Sequence, residues 1–224
     1  MNLDDFVQAA FKGDIKQIRR GINSGIDVNS VANNGMSLLM ISIWHHDNLP
    51  MVQYLLEMGA DINYRQPSTG WNALTYAALH GHPKILTCLI EHGARPTSDN
   101  SDRCALMYAV KYEHFDCVRI LLENDANVNV RDNKGQTALI RAVRQNNTAL
   151  LRMLLNHSPD LDARDLRGMT ALMYAFSQGS VDIAAALYEA GADDALRNAA
   201  GHTVHEIARA NGHPDLTLLL SRDY

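Results

Sequence analysis

The sequence has no apolar run of the length that crosses a membrane and no signal for export. A membrane-spanning helix needs about 20 consecutive apolar residues, and every apolar stretch of this chain is much shorter. The N-terminal segment MNLDDFVQAAFKGD carries two early aspartates and lacks the cationic start and apolar core of a secretory signal peptide. We therefore expect a cytoplasmic protein that does not enter a membrane.

Cysteine and positive charge are also scarce. The three cysteines, Cys88, Cys104 and Cys117, are odd in number and form no CxxC pair, which predicts reduced and mostly buried thiols. The 20 Lys and Arg are outnumbered by 25 Asp and Glu, for a net charge of -5. This balance gives no global electrostatic reason to bind nucleic acid or an anionic membrane. With 46% hydrophobic residues, the chain of 224 residues can bury a sizeable core.

Catalytic and metal-binding motifs are missing as well. The ten histidines are densest in WHHD, at 44–47, and in HGHPK, at 80–84, but no cysteine or carboxylate recurs at the ligand spacing of a zinc site. The chain has neither a glycine-rich phosphate loop nor a Gly-x-Ser-x-Gly nucleophile motif. We predict that the protein holds no metal or cofactor and is not an enzyme. An enzyme and a nucleic-acid-binding protein remain as remote alternatives.

What the chain does contain is a repeat. The stretch RDNKGQTALIRAV begins at Arg131, and RDLRGMTALMYAF begins 33 residues later, at Arg164. A small residue recurs in phase with them, at Ala9, Ser42, Ala77, Ala109, Ala142, Ala175 and Ala208. Its spacings of 33, 35, 32, 33, 33 and 33 residues indicate that one structural repeat is stacked on copies of itself. The irregular spacings predict local distortion, for example near Gln66–Thr69.

Each repeat has the pattern of two short helices. In TALIRAVRQN, the residues Leu139, Ala142 and Val143 share one helix face, and Thr137 stands where an N-cap hydroxyl accepts a backbone N–H. A second apolar segment follows and in most repeats ends on glycine, the residue that takes a left-handed backbone after a helix. Because two such helices cannot bury both apolar faces alone, the pattern predicts an all-α solenoid of stacked repeats.

The sequence resembles the ankyrin-repeat family over its full length. The resemblance rests on GQTAL, GMTAL and GHTVH at the start of repeats, and on LLEMGADIN, LIEHGA and LYEAGAD in their second halves. It implies a single ankyrin-repeat domain, residues 1–224, of about seven helix-turn-helix repeats with β-hairpin-like connecting loops. We expect the repeats at 1–30, 31–65, 66–99, 100–131, 132–164, 165–197 and 198–224, the outer two acting as caps. Because repeats fill the chain, we expect no second domain.

The resemblance also implies a partner-binding surface. In this family partners usually bind the concave side, which is made of the hairpin tips and the exposed face of each first helix. The residues at those positions in this chain are Met36, Trp44, His45, Trp71, Tyr76, His80, Arg103, Tyr108, Lys111, Tyr112, Gln136, Arg141, Arg144 and Met169. The N-terminal half of this set is aromatic and its middle is basic, which predicts an acidic partner protein.

Two groups of residues also allow a purely structural interpretation. Three tyrosines at equivalent positions can serve as packing residues between adjacent helices: Tyr76, Tyr108 and Tyr174. Three arginines that precede their repeats at a fixed phase can brace the turn: Arg131, Arg164 and Arg197. For the tryptophans Trp44 and Trp71, and for Arg141 and Arg144 on the first helix, we favour partner contact.

On these grounds the expected function is binding of another protein, without catalysis. The protein, a monomer when free, would act as a stoichiometric inhibitor of its partner, in the manner of an immunity protein, or as an adapter. The alternative is a scaffold or assembly factor. A rigid, preformed groove would lose little entropy on binding.

Overall fold

The computed structural model describes residues 2–45, 47–96 and 104–216, and for His45 only the backbone. Within these ranges the chain forms 13 helices and no β-strand, so the all-α class predicted from the repeat is confirmed. The helices are α1 (Leu3–Phe11), α2 (Ile15–Asn23), α3 (Leu38–His45), α4 (Leu49–Glu57), α5 (Ala73–His80), α6 (Pro83–Glu91), α7 (Ala105–Lys111), α8 (Phe115–Glu123), α9 (Ala138–Arg144), α10 (Thr148–Leu155), α11 (Ala171–Gln178), α12 (Val181–Glu189) and α13 (Val204–Ala210). None of these described helices combines the length and apolarity that a bilayer crossing demands.

Consecutive helices pack as pairs joined by short turns, from α1 with α2 to α11 with α12. The described residues divide into two compact bodies. The N-terminal body comprises 2–45, 47–96 and 104–126, and the C-terminal body comprises 127–216. In the N-terminal body the first helices α1, α3, α5 and α7 each pack against the next, and in the C-terminal body α9, α11 and α13 do the same. The single-domain organisation and the repeat boundaries remain predictions.

Threonine begins the first helix in the last three repeats, as predicted. The hydroxyls of Thr137 and Thr170 each accept the backbone N–H three residues further on, at 3.3 Å. At Thr203 the cap is reciprocal, because the Glu206 carboxylate also accepts the Thr203 N–H, at 2.8 Å. Cys104, which replaces the threonine in one repeat, is buried and its side chain makes no cap. That helix therefore starts without the stabilisation that its equivalents have.

Second helices are followed by a residue with left-handed backbone, also as predicted. The backbone angle φ is +93° at Gly25 and +96° at Gly191. In the repeat where Ser158 and Pro159 replace Gly-Ala, Ser158 adopts the same region with φ of +51°. A side chain in that region costs about 1–2 kcal/mol, so this repeat keeps the turn at the cost of local strain.

The three cysteines are buried and unbridged, as predicted. Burial, with a smaller effect of the neighbouring Asp116, raises the pKa of the Cys117 thiol to about 12. The thiolate, which is the reactive form, is therefore negligible at neutral pH. Cys117 belongs to the core rather than to a reactive site.

Hydrogen bonds between turns link successive repeats within each body. A side-chain oxygen of one repeat accepts a backbone N–H of the next. The pairs are Asn29 with Asp61 (2.7 Å), Asn129 with Asp160 (2.8 Å) and Asp162 with Asp193 (2.9 Å). We call this set of hydrogen bonds the turn ladder.

Among the described residues, a hairpin precedes each of the first helices α3, α5, α9, α11 and α13. In the hairpin at 132–136, the N–H of Asp132 donates to the carbonyl of Gln136 at 2.9 Å. In the hairpin with irregular spacing, the N–H of Gln66 donates to the carbonyl of Trp71 at 2.8 Å, one residue further along. One of the two residues by which this spacing of 35 exceeds 33 is therefore absorbed inside the hairpin, at a place where the spacing predicts distortion, and the following helix α5 still forms.

Candidate functional site

An apolar row lies at the C-terminal ends of the first helices in the N-terminal body. Trp44, two residues after Ser42, is 40% exposed, and Phe11, two residues after Ala9, is 39% exposed. Leu79 is half-buried at the equivalent position of α5. Because α3 packs against both α1 and α5, these three apolar residues fall on neighbouring helices, and we call them the apolar row. Phe11 was not among the predicted contact residues, although it follows Ala9 by two residues just as Trp44 follows Ser42.

Trp71 lies within a cluster of aromatic rings. Its ring makes edge-on contacts with Tyr76, at a centroid distance of 5.3 Å, and with Tyr108, at 5.1 Å. Tyr76 is buried; its hydroxyl donates to Oε1 of Gln66 at 2.9 Å, and burial raises the pKa of that hydroxyl. The indole N–H of Trp71 is buried without an acceptor among the described residues. These contacts favour the packing interpretation for the two tyrosines and extend it to Trp71.

Lys111 and Tyr112 form an exposed pair at the end of α7. Nζ of Lys111 lies 4.9 Å from the ring centroid of Tyr112 and 6.0 Å from that of Tyr108, which is the geometry of a cation–π contact. Tyr112 is 47% exposed and stacks on His114 at 6.2 Å. The end of α7 therefore offers an aromatic ring and a cation side by side.

His80 belongs to a column of stacked rings. Its ring centroid is 6.4 Å from that of Tyr76 and 6.1 Å from that of His82. Burial lowers the pKa of His82, although Asp47, whose carboxylate lies 3.9 Å from Nδ1, acts in the opposite sense. The His82 ring is therefore neutral at pH 7, and both histidines act as packing groups beside the turn.

The residue that follows the hairpin glycine is buried in three of the described hairpins, contrary to expectation. Met36 is 2% exposed, Gln136 is 3% exposed and Met169 is 6% exposed. The hairpin closes at this residue, because its carbonyl accepts the N–H of the residue that opens the hairpin. His202 closes its hairpin in the same way and is exposed, whereas the side chains of Met36, Gln136 and Met169 lie inside the protein. Together with the buried Tyr76, these residues are removed from the candidate surface.

Arg141 is tied to its own hairpin. Its guanidinium pairs with Oδ2 of Asp132 at 2.5 Å. Tyr174 holds the equivalent position in α11, and its hydroxyl donates to Oδ2 of Asp165 at 2.6 Å. Tyr76 bonds its hairpin in the same way. We call this bond from first helix to hairpin the hairpin clamp, and it gives Arg141 a structural role, while its contact with a partner stays a prediction.

Arg144, in contrast, is exposed and held in place. Its Nη1 donates to the buried Oε1 of Gln136 at 2.8 Å, and its guanidinium lies 5.3 Å from the ring centroid of Tyr174. Gln136 in turn hydrogen-bonds to Asp165. Arg144 therefore keeps further N–H donors directed outward from a fixed position, the arrangement that suits a carboxylate.

Asp165 is the centre of this network. Burial alone would raise its pKa, but hydrogen bonds from the Tyr174 hydroxyl and from the N–H groups of Met169 and Arg167 hold the pKa below its ordinary value. Burial and Asp165 raise the pKa of Tyr174, whereas Arg144 and Arg167 act on it in the opposite sense. Both arginines therefore lie near the Tyr174 hydroxyl, and we call the exposed Arg144 and Arg167 the basic face.

The arginines that precede the repeats bind backbone carbonyls. Nη1 of Arg131 donates to the carbonyl of Arg164 at 2.6 Å, and Nη1 of Arg197 donates to the carbonyl of Gly201 at 2.7 Å. These contacts favour the turn-bracing interpretation for Arg131 and Arg197.

Leu166 is a surface residue that sequence reasoning missed. It lies in the hairpin that Asp165 opens and is 78% exposed, the largest value among the exposed large hydrophobic residues of the described ranges. A comparison of the aligned repeats could have found it, since RDNKG carries the polar Asn133 where RDLRG carries Leu166.

Two predicted contacts cannot be placed, because Arg103 and the side chain of His45 lie outside the described residues. Within the described ranges, no group of three or more His, Cys, Asp or Glu side chains is arranged to hold a metal ion.

Comparison with known proteins gives a consistent family assignment. The family described as "Ankyrin repeats (3 copies)" matches residues 65–132 and 106–198, and the family described as "Ankyrin repeats (many copies)" matches residues 22–77. The E3 ubiquitin-protein ligase Ufd4 of Drosophila melanogaster is 40% identical over 92 residues, which is 40% of this chain. The match spans only 3% of that relative.

Solved structures match over nearly the whole chain. The ankyrin repeat domain of Bcl-3, described as a unique member of the IkappaB protein family, has a TM-score of 0.81 at 25% identity, covering 95% of this chain and 97% of that one. The human ASB11 ankyrin repeat domain has a TM-score of 0.79 at 26% identity, covering 96% of each chain.

Proposed function

Because this chain belongs to the ankyrin-repeat family, we propose that it is a noncatalytic module that binds a partner protein. The observation that carries the proposal is Arg144. Its guanidinium is exposed, yet it is fixed by the hydrogen bond to Gln136 and by the ring of Tyr174. An arginine held in this way loses little side-chain entropy when it meets a partner, and arginine is enriched among residues that dominate binding energy.

The partner surface that suits this arrangement is acidic. Arg144 and Arg167 are both exposed, and both act electrostatically on the Tyr174 hydroxyl that donates to Asp165. A partner carboxylate would pair with these charges and accept the remaining N–H donors of Arg144. Because the whole chain carries a net charge of -5, the basic face distinguishes one region of the surface from the rest for an acidic partner.

The N-terminal body offers a second set of contacts. Trp44 and Phe11 of the apolar row are each about two-fifths exposed, and Tyr112 is nearly half exposed beside Lys111. Large aromatic side chains bury much apolar area for little conformational entropy. We propose that they add affinity, while the basic face of the C-terminal body selects the acidic partner.

Recognition is then the whole activity. The protein acts as a stoichiometric inhibitor of its partner, in the manner of an immunity protein, or as an adapter that holds the partner near a third molecule. The alternative is a scaffold or assembly factor. In each case the free protein is a monomer, which size-exclusion chromatography with light scattering tests directly.

The deciding experiment is affinity capture from a lysate of the source organism with three forms of the full chain. The wild type is compared with Arg144→Glu and with Arg152→Glu, an equal charge change at an exposed position of α10. We expect one acidic protein to be retained by the wild type and by Arg152→Glu and to be lost by Arg144→Glu. Its retention should also weaken as salt rises.

The outcomes separate the possibilities. If Arg144→Glu retains the same proteins as Arg152→Glu, the basic face is not the binding surface. If the wild type retains no specific protein, the protein-binding function itself is wrong. Where a partner is captured, its activity at an equimolar ratio distinguishes an inhibitor from an adapter.

A further inference from the structure

The hairpin at 165–168 displays an apolar side chain where neighbouring hairpins carry polar or small ones. Leu166 is 78% exposed, and its counterparts in adjacent repeats are Asn133 and Ala199. A single exposed leucine is ordinary on a protein surface. Its setting therefore decides whether Leu166 has a role.

The backbone that carries Leu166 is fixed on both sides. The N–H of Leu166 donates to the carbonyl of Lys134 at 2.9 Å, and the N–H of Ala199 donates to the carbonyl of Arg167 at 3.1 Å. Asp165 accepts the N–H of Arg167 at 2.9 Å and is itself held by the hairpin clamp. Leu166 is thus presented by an ordered hairpin, so a partner that covers it does not have to order a loop.

Two cations belong to the backbone contacts of this leucine. Lys134, whose carbonyl accepts the Leu166 N–H, and Arg167, the next residue in the chain, are both exposed, and within the described ranges neither forms an ion pair. The hairpin clamp connects Asp165 to Tyr174, and Tyr174 lies under the guanidinium of Arg144. Leu166 is therefore an exposed apolar residue in a hairpin linked to three cations, which are Lys134, Arg144 and Arg167.

Resting on the protein-binding function above, we propose that Leu166 anchors a partner segment in which carboxylates lie beside an apolar side chain. A wholly acidic segment would leave Leu166 uncovered. A wholly apolar segment would take the cations Lys134, Arg144 and Arg167 out of water without pairing them, which is costly. Only a segment with both kinds of side chain satisfies the whole surface, with the apolar contact adding affinity and the carboxylates setting the register.

The test uses a random-sequence peptide library displayed on phage and selected on the full wild-type chain. The selected pool is then measured for retention on Leu166→Ser and on Val181→Ser, a control for loss of an exposed aliphatic side chain in the same body, where Val181 is 46% exposed. We expect selected peptides to place Asp or Glu within a few residues of an apolar residue. Retention should fall about tenfold on Leu166→Ser and stay within about twofold on Val181→Ser.

Equal retention on Leu166→Ser and the wild type would overturn the inference, as would a selected pool without acidic residues. Thermal unfolding of both variants checks that the fold is intact, which we expect because such exposed residues contribute little to stability. Retention is also measured on Arg144→Glu, and a pool that is lost on Arg144→Glu but not on Leu166→Ser leaves the protein-binding function standing and refutes only the anchor. A wild-type chain that selects no peptide refutes both.

Discussion

Replacing Tyr174 by phenylalanine removes one oxygen atom from the hairpin clamp of the C-terminal body. The hydroxyl of Tyr174 donates to Asp165 at 2.6 Å, and the two residues are 8% and 7% exposed. A hydrogen bond to a charged group contributes about 1.5–3 kcal/mol, and more is lost when the remaining partner stays buried. Asp165 keeps the N–H donors of Met169 and Arg167, so we expect the free energy of unfolding at pH 7 to fall by about 2 kcal/mol.

The loss depends on pH in a defined direction. The pKa of Asp165 is lowered in the folded chain, so its stabilising contribution is present above the pKa of an unfolded aspartate, about 3.9. This contribution is lost as the pH falls through the lower, folded value. Tyr174→Phe removes one of the hydrogen bonds that lower this pKa, so Asp165 contributes less to the free energy of unfolding already at neutral pH. The difference in the free energy of unfolding between wild type and variant is therefore largest near neutral pH and becomes smaller below about pH 4.

The alkaline side gives an independent check. Burial and the Asp165 carboxylate raise the pKa of Tyr174 in the folded chain. The stability that this protonated hydroxyl contributes is present below about pH 10, the unfolded value, and is lost as the pH rises through the folded value. Phenylalanine cannot ionise, so the difference in the free energy of unfolding between wild type and variant also becomes smaller above about pH 10.

Urea unfolding followed by far-ultraviolet circular dichroism, at acid, neutral and alkaline pH, measures all three points. The matched control is Tyr188→Phe in α12, because the Tyr188 hydroxyl has no hydrogen-bond partner in the described ranges. We expect that control to change stability by less than about 0.5 kcal/mol. Equal losses for the two variants, or a Tyr174→Phe loss that does not vary with pH, would refute the clamp.

Three further tests apply the same unfolding assay to other parts of the structure. Arg141→Ala should cost about 2 kcal/mol because Asp132 loses its partner, whereas Arg141→Tyr, which copies the clamp of the other repeats, should recover at least half of that; equal losses contradict the equivalence. Gly81→Ala places a Cβ 2.5 Å from an imidazole nitrogen and should cost more than about 2 kcal/mol, against about 1 kcal/mol for Gly25→Ala, where the space is open. Glu113→Gly, at a φ of +58°, should raise stability by about 0.5 kcal/mol, and a loss would show that its backbone is not strained.

The repeat period predicted most of the fold because it records packing that every repeat must satisfy. The same small residue, the same threonine cap and the same glycine recur, and each is explained by local backbone geometry. The irregular hairpin at Gln66 was also predictable, since one of the two extra residues in the spacing of 35 lies there. Helix class, caps and thiol burial therefore followed from the residues alone.

The candidate surface was predicted less well, since residue type was given more weight than position. Arg141 was separated from Tyr76 and Tyr174 by its charge, although all three form the hairpin clamp. Met36 and its counterparts were placed at the hairpin tip, but the side-chain direction there depends on where the hairpin closes, which a repeat period does not encode. Leu166 was overlooked because a single apolar residue in a polar turn produces no periodic signal.

The turn ladder gives the chain a direction. In each of its bonds the acceptor belongs to the earlier repeat and the backbone donor to the later one, as in Asn29 with Asp61. Because the chain is synthesised from its N-terminus, the acceptor in each of these three bonds is made before its donor. Removing a leading repeat leaves backbone N–H groups of the ladder without acceptors, whereas removing a trailing repeat leaves ladder side chains that water can solvate. We expect deletions from the two ends of a body to differ in their effect on stability.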